Sequence, residues 1–261
     1  MRCLISMPLL EINNLSVQFG GLRALSGFNF TLERAELVGL IGPNGAGKTT
    51  AFNVVTGVHP PCTGEVRLEG RSIVGLKPFK INRLGIARTF QNIRLFGGLT
   101  VLENVLTAFN QSLTHGFWGT VLRTPRHQRE DRHHEAQAMD LLHTMRLAHR
   151  WDELARNLPY GDQRRLEIAR ALATKPKVLL LDEPAAGMNP QEKMELMELI
   201  RFIRDRFNIG IWLIEHDMKL VMTICQRITV LDHGETIAVG TPSQVQCDPK
   251  VIEAYLGEPV S

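Results

Sequence analysis

The chain has 261 residues, 44% of them hydrophobic, and a formal net charge of +3. This length allows one large domain or two modest ones, and the apolar content is ample for a core. Acidic and basic residues are interspersed, so the charge does not mark a nucleic-acid binder. No apolar run approaches the roughly 18 residues of a membrane-spanning helix, and the N-terminus predicts no secretory signal. The four cysteines lack C-x-x-C spacing, which fits a reducing cytoplasm.

The first part of the chain is rich in β-forming residues. Residues 10–19, 28–32 and 65–68 alternate or cluster such residues between glycine-containing turns, which predicts an antiparallel β-layer. Residues 36–41 are a short apolar run that predicts a buried strand beside this layer.

A phosphate-binding loop follows that strand directly, with the pattern G-x-x-x-x-G-K-T. Its glycines let backbone N–H groups turn inward, and a helix opening at Thr49 would place phosphates at its N-terminus. Lys48 is expected to reach the β- and γ-phosphates, and the Thr49 hydroxyl to bind Mg²⁺. The predicted nucleotide-binding residues of this segment are Gly42, Pro43, Asn44, Gly45, Ala46, Gly47, Lys48, Thr49 and Thr50.

Helical patterns dominate the middle of the chain. Residues 78–84 and 100–108 predict helices, the second with Thr100 as N-cap and Glu103 as its capping-box partner, and residues 85–90 between them predict a strand. Residues 126–150 are polar but carry an apolar stripe at helical spacing, formed by Ala138, Leu141, Leu142 and Met145. These patterns predict a helical subdomain inserted into an α/β core.

The core resumes with a strand at 177–182, a helix at 190–207 and a strand at 209–214. Such alternation predicts parallel strands joined by crossover helices. We therefore expect one α/β domain over residues 8–257. Its β-subdomain and nucleotide core would take about 8–95 and 175–257, and its helical subdomain about 96–174.

Four polar residues at predicted strand ends could serve hydrolysis. Asp182 and Glu183 end an apolar strand, so that Asp182 would face Mg²⁺ and Glu183 would hold the attacking water as general base. His216, after the next strand, could hydrogen-bond the γ-phosphate. Gln91, after residues 85–90, could contact both Mg²⁺ and the water.

In this order, the motifs resemble those of ABC-transporter ATPase subunits, and the resemblance spans nearly the whole chain. It implies a P-loop NTPase core of the RecA-like type, with Phe19 stacking on adenine, Gln91 as the Q-loop glutamine and His216 as the switch histidine. It also implies a signature motif that binds the ATP of a second ATPase subunit, formed by Leu158, Pro159, Tyr160, Gly161 and Asp162. Gly161 is expected to precede a helix whose free N–H groups and dipole can accept a phosphate.

A finer resemblance is to the LivG-type ATPases of branched-chain amino acid importers. It is carried by residues 88–96, 160–165 and 182–190 and by an insertion that runs from Phe117-Trp118 to Arg123-Thr124-Pro125. Pro159 departs from the usual Ser of the family and removes a hydroxyl and an N–H donor. Asn189 stands where many relatives have Asp.

The resemblance implies an ATP-hydrolysing subunit on the cytoplasmic face of the cell membrane. Its partners would be a second ABC ATPase, identical or different, two membrane permeases and, indirectly, a periplasmic solute-binding protein. Its cofactors would be ATP and Mg²⁺. An importer of another solute, such as an amide, stays open, as does a soluble ABC-type ATPase acting on nucleic acid or the ribosome. A non-hydrolysing structural partner is a further alternative, against which the intact Lys48, Asp182, Glu183 and His216 argue.

Overall fold

The computed structural model describes residues 7–109 and 125–256, with side chains for 7–109 and 132–255. Residues 117–124 of the insertion at 117–125 lie outside the described residues. The chain divides into two compact units: residues up to Arg88 together with those from Lys177 onward, and the segment from Thr89 to Pro176. The second unit takes in the predicted helical subdomain together with residues 89–95 before it and 175–176 after it.

The first unit contains two sheets. The smaller has the strand order β2-β1-β4-β5 and is antiparallel throughout. Its strands are β1 (Leu10–Phe19), β2 (Leu22–Leu32), β4 (Thr63–Leu68) and β5 (Arg71–Ser72). The predicted antiparallel layer is thus confirmed, although β2 begins six residues before the predicted strand at 28–32.

The larger sheet has the order β10-β9-β3-β8-β7-β6. All its neighbouring strands are parallel except β9 and β10. Its strands are β3 (Leu37–Ile41), β6 (Ile86–Arg88), β7 (Val178–Asp182), β8 (Gly210–Ile214), β9 (Arg227–Asp232) and β10 (Glu235–Gly240). Strand β3 lies between β8 and β9, so the strand before the phosphate loop is central and fully buried.

The α-helices of the described residues, in chain order, are α1 (Lys48–Val55), α2 (Pro78–Leu84), α3 (Val101–Phe109), α4 (Pro125–Thr144), α5 (Tyr160–Ala173), α6 (Pro190–Phe207), α7 (Met218–Ile224), α8 (Pro242–Gln246) and α9 (Pro249–Leu256). The expected helix at 190–207 is confirmed residue for residue. Asn189 caps it, because its side chain accepts from the Glu192 N–H. Asn and Asp are comparable N-caps, so Asn189 serves this start of the helix as well as Asp would.

Two predicted boundaries are wrong. Strand β6 covers only Ile86–Arg88 of the predicted 85–90. Gly85, with φ of 113°, is instead the C-cap of α2, a left-handed position that glycine takes at little cost. Gly161 was expected to precede its helix, but α5 begins one residue earlier, at Tyr160.

An aromatic cluster joins the two sheets within the first unit. The Trp212 ring, on β8, stacks at 4.1 Å between centroids on Phe30, which lies on β2. Phe28 lies 6.2 Å from Trp212 on the same strand as Phe30, and Phe52 of α1 meets the indole edge-on at 4.8 Å. All four side chains are buried. This cluster anchors helix α1, and with it the phosphate loop, to both sheets.

The second unit is helical, as expected. The apolar stripe of Ala138, Leu141, Leu142 and Met145 is buried. The predicted capping box is also confirmed: the Glu103 N–H donates to Thr100 Oγ1 at 3.2 Å, and the Thr100 N–H donates to Glu103 Oε2 at 2.8 Å. None of the helices in the described part of the chain is both long enough and apolar enough to span a membrane.

Candidate active site

The phosphate loop connects β3 to α1, and its backbone leaves no room for side chains at two glycines. A Cβ on Gly42 would lie 2.0 Å from the carbonyl oxygen of Leu231, and one on Gly47 would lie 2.5 Å from that of Ala24. Gly47 also has φ of 102°, a conformation that L side chains rarely adopt. The loop is therefore packed directly against neighbouring backbone and holds one shape.

The turn between β9 and β10 supports this loop, a contact that the sequence analysis missed. Gly234 donates its N–H to the Ala46 carbonyl at 3.1 Å, and its own carbonyl accepts from Ser26 at 2.8 Å. His233 and Gly234 both have positive φ, the combination of a two-residue hairpin turn. A His-Gly pair between two strand-like runs was the signal that could have revealed it.

Lys48 is buried at the mouth of the loop. Its ammonium donates to the carbonyls of Gly42 at 2.7 Å and Pro43 at 2.8 Å. Burial lowers the pKa of Lys48, and the carboxylates of Glu183 and Asp182 oppose that shift. Because Gly47 caps α1 without a side chain and no acid lies in the first turn, the N–H groups and dipole at this helix start suit a phosphate. Thr49 is exposed and Thr50 half-buried in the same turn.

Asp182, at the end of β7, is held by an arginine that the sequence analysis did not single out. Arg88 Nη2 donates to Asp182 Oδ2 at 2.8 Å, and each side chain is only 6% exposed. Arg88 Nη1 also donates to Asn53 Oδ1 on α1 at 2.7 Å, and the guanidinium lies 5.4 Å from the centre of the Phe52 ring. The carboxylate expected to face Mg²⁺ is thus neutralised by a buried cation.

Glu183 and His216 meet where β7 and β8 end. Glu183 Oε2 lies 3.8 Å from His216 Nδ1. The Glu183 backbone has φ of 45° and donates its N–H to the Ile214 carbonyl at 2.9 Å. This left-handed conformation is uncommon for a residue other than glycine and is a local strain of the kind often found at functional sites.

A second carboxylate, Glu215, was missed. It is buried, accepts from the Ala185 N–H at 2.9 Å and the His216 N–H at 3.3 Å, and lies 3.8 Å from His216 Nδ1. Burial raises the pKa of Glu215; the hydrogen bonds from Ala185 and His216 oppose the shift, and the charge of Glu183 adds to it. Glu215 therefore connects the turn at Ala185, after β7, with the backbone of His216, after β8.

Phe19, the predicted adenine contact, ends β1 and is exposed. Its ring meets that of His59 edge-on, with centroids 5.2 Å apart. The hydroxyl of Tyr255 on α9 hydrogen-bonds the Gly42 backbone. A cavity of about 530 Å³ lies between the loop, the β9–β10 turn and α9.

The signature segment belongs to the second unit. Pro159 is the N-cap of α5 and contributes no side-chain hydrogen bond, so Tyr160 and Gly161 form the first turn. Asp162 in the same turn lies within ion-pair distance of Arg150 at 3.5 Å and Arg165 at 3.8 Å, and Gln163 donates to the Leu158 carbonyl at 2.9 Å. Gln91 is exposed in the loop after β6. The first unit thus gathers Lys48, Asp182, Glu183 and His216, while Gln91 and the signature segment are part of the second.

The sequence profile of the ABC transporter family matches residues 25–186. The chain belongs to the ABC transporter ATP-binding proteins. A second profile, of the branched-chain amino acid ATP-binding cassette transporters, matches residues 235–261 of this ABC protein. The predicted membership of the ABC family and its LivG-type branch is confirmed.

Relatives of known function share almost the full length of this ABC protein. The high-affinity branched-chain amino acid transport ATP-binding protein LivG of Escherichia coli K12 is 49% identical, over 97% of this chain and all of LivG. The corresponding protein BraF of Pseudomonas aeruginosa is 47% identical over the same shares. The ADP conformation of MJ1267, an ATP-binding cassette of an ABC transporter, superimposes with a TM-score of 0.83 at 30% identity, covering 97% of this chain and all of MJ1267. The predicted ABC ATPase fold is confirmed.

Proposed function

We propose that this chain is the ATP-hydrolysing subunit of an importer for branched-chain amino acids, working on the cytoplasmic face of a membrane. The observation that carries the proposal is the joint placement of Lys48 in the phosphate loop and of Asp182, Glu183 and His216 at neighbouring strand ends. The full-length likeness to LivG and BraF supports the choice of solute.

The phosphate loop would bind the nucleotide. Its glycines bring backbone N–H groups close to the phosphates, and Lys48 would exchange the Gly42 and Pro43 carbonyls for phosphate oxygens. Because Phe19 is exposed at the end of β1, it is free to stack on adenine with little rearrangement.

Within the described residues, no group of three or more His, Cys, Asp or Glu side chains could hold a metal ion unaided. Thr49 and Asp182 fit Mg²⁺ only in part, as expected for an ion that keeps phosphate and water ligands. When bound, Mg²⁺ would neutralise charge on the phosphates. Arg88 donates to Asp182 Oδ2 and also to Asn53 Oδ1. Because a carboxylate has further lone pairs on both oxygens, Asp182 could take part while it keeps this hydrogen bond. Gln91 would complete the ion's surroundings.

Hydrolysis would use Glu183 as the base. Its side chain is partly exposed, within 3.8 Å of the exposed His216 ring, so both can reach a water beside the γ-phosphate. Glu183 would accept the proton of that water, and His216 would orient the phosphate or the water. Buried Glu215 would hold the two strand ends in register through the Ala185 and His216 N–H groups.

The signature segment would bind a phosphate of a second nucleotide. Because Tyr160 and Gly161 open α5 and Pro159 adds no cap, the first-turn N–H groups can receive a phosphate. That phosphate would belong to the ATP of a second ATPase, so that two chains enclose two nucleotides. Closure and reopening of this pair would drive two permeases supplied with solute by a periplasmic binding protein.

The test is reconstitution with the cognate permeases, second ATPase and solute-binding protein. The isolated chain should hydrolyse ATP poorly, and assembly in liposomes with leucine-loaded binding protein should raise the rate and drive leucine uptake. Full activity in a demonstrably monomeric sample would contradict the two-chain site. Stimulation by an amide but not by leucine, isoleucine or valine would overturn the choice of solute.

A further inference from the structure

The loop that carries Gln91 has no regular secondary structure. Residues 89–99 contain no helix or strand, and Gln91, Asn92 and Arg94 are exposed. A loop of this kind would normally be mobile. Its backbone is nevertheless bound by side chains from α5, the helix that begins at the signature segment.

Arg164 of α5 is fully buried and binds the start of the loop. Its Nη1 donates to the Phe90 carbonyl at 2.6 Å, and its Nη2 donates to the Gln91 carbonyl at 2.7 Å. The planar guanidinium thus spans two successive carbonyls, a geometry that the point charge of lysine cannot reproduce.

Glu167, one turn further along α5, accepts hydrogen bonds from backbone N–H groups of the same loop. Its Oε2 accepts from Arg164 at 2.7 Å, while its Oε1 faces the N–H groups of Phe90 at 3.4 Å and Arg94 at 3.3 Å. Both charged side chains are at most 3% exposed. A buried ion pair is weak evidence for stability, because its desolvation offsets its attraction, but it can specify one arrangement of the chain.

The pair also reaches the signature segment. Arg164 Nη2 donates to the Tyr160 hydroxyl at 3.2 Å, and the guanidinium lies 5.9 Å from the centre of the Tyr160 ring. Tyr160 is the first residue of α5. One guanidinium therefore contacts both the helix start expected to meet the partner's nucleotide and the backbone of Gln91.

We propose that Arg164 and Glu167 form a buried clamp that makes residues 90–94 move with the signature helix, so that engagement of the partner-held ATP repositions Gln91. Both are positioning residues, since neither touches nucleotide. The clamp stands on contacts within the second unit. Its use in coupling the two nucleotide sites rests on the proposed function.

The first test measures the clamp in the whole isolated chain by hydrogen–deuterium exchange. The variant Arg164→Met/Glu167→Met replaces the pair by apolar side chains of similar length, which avoids leaving one charge buried alone. Arg132 and Glu135 have the same spacing on α4 and are exposed, so Arg132→Met/Glu135→Met is the matched control. We expect exchange of residues 89–96 to rise at least about tenfold in the clamp variant alone. Unchanged exchange in a folded clamp variant would overturn the clamp.

The second test measures coupling in the assembled transporter, with hydrolysis slowed by Glu183→Gln. On addition of Mg-ATP, the parental chain should gain protection at residues 158–163 and at 89–96 together. The clamp variant should gain it at 158–163 only. Parallel gains in both segments of the clamp variant would refute transmission through Arg164 and Glu167.

Turnover provides the last readout, in complexes that retain Glu183. The clamp variant should lose roughly two- to thirtyfold in kcat, while ATP affinity of the isolated chain stays within about twofold, because the phosphate loop is untouched. An unchanged kcat would contradict the coupling. If the parental complex itself neither hydrolyses ATP nor gains protection, the proposed function fails, while the exchange of the isolated chain still decides on the clamp.

Discussion

Replacing Arg88 should destabilise the folded protein, because the buried Asp182 carboxylate would lose its neighbouring cation. In Arg88→Met, Asp182 loses the guanidinium 2.8 Å from its Oδ2, and Asn53 loses a hydrogen bond of 2.7 Å. Since both charged side chains are 6% exposed, solvent screens the pair little, and leaving one charge buried alone costs about 3–5 kcal/mol. With a slope of about 2–3 kcal/mol per molar urea, the unfolding midpoint should fall by about 1–2 M.

The assay is urea unfolding followed by tryptophan fluorescence, because Trp212 lies in the core that Phe52 and α1 share. Arg83→Met is the control, since Arg83 is exposed on α2 and such a change is usually worth no more than about 0.5 kcal/mol. Asp182→Asn added to Arg88→Met should restore part of the loss, with a coupling energy of about 1–3 kcal/mol.

The same urea unfolding, repeated with Mg-ATP, gives a second measurement. A divalent cation beside Asp182 would supply the charge that Arg88 no longer provides, so Mg-ATP should raise the midpoint of Arg88→Met more than that of the parental chain. The reasoning is refuted if Arg88→Met unfolds at the parental urea concentration, or if the two changes at Arg88 and Asp182 are simply additive.

Three further outcomes are expected. Glu183→Gln should keep nucleotide affinity but lower turnover of the assembled complex by about 10²–10⁴-fold. Lys48→Ala should instead lose nucleotide binding, measured by calorimetry. Parental turnover in Glu183→Gln would show that Glu183 is not the catalytic base. Phe19→Ala should weaken ATP binding by about 1–3 kcal/mol, the free energy of one base–aromatic stack. The control is Phe79→Ala, which also removes an exposed phenylalanine and should leave ATP binding unchanged. Equal losses of affinity in the two variants would argue against stacking. Burial raises the pKa of Glu215, so its ionisation destabilises the folded state above that pKa. Glu215→Gln should therefore have a higher melting temperature than the parental chain near about pH 7.5, and the difference should vanish near about pH 4. A difference that grows on acidification would contradict the raised pKa.

Local signals in the sequence predicted the fold well. The strand before Gly42 is predicted by its own apolar run, although its hydrogen bonds are made to distant strands. The helix from Pro190 and the Thr100 capping box are specified by residues within one or two turns of one another, and short-range hydrogen bonds decide them. The residues of the phosphate loop were identifiable for the same reason, since their spacing is itself the site. The early ends of β6 and the start of α5 at Tyr160 were missed by one to two residues, because several conformations fit the same pattern at an element boundary.

The supporting residues of the site could not be read in this way. Arg88 and Asp182 are 94 positions apart, and Glu215 meets Ala185 across 30. Nothing in the local pattern says that Arg88 is buried, and an Arg at the end of a short strand is usually a surface residue. Such pairings follow only from the strand order, in which β6 lies beside β7 and β7 beside β8.

The strand order has a consequence for biosynthesis. Strand β3 is buried along its whole length, yet its neighbours β8 and β9 are both encoded far downstream. A ribosome adding about 5–20 residues per second completes β8 roughly 10–35 s after β3. During that interval β3 lacks both of its native strand neighbours, although residues of β1 and β2 in the same core are already made. Such an unpaired strand edge favours aggregation. The phosphate loop, although translated early, becomes a binding site only after Leu231 and Gly234 have been made and have closed against it.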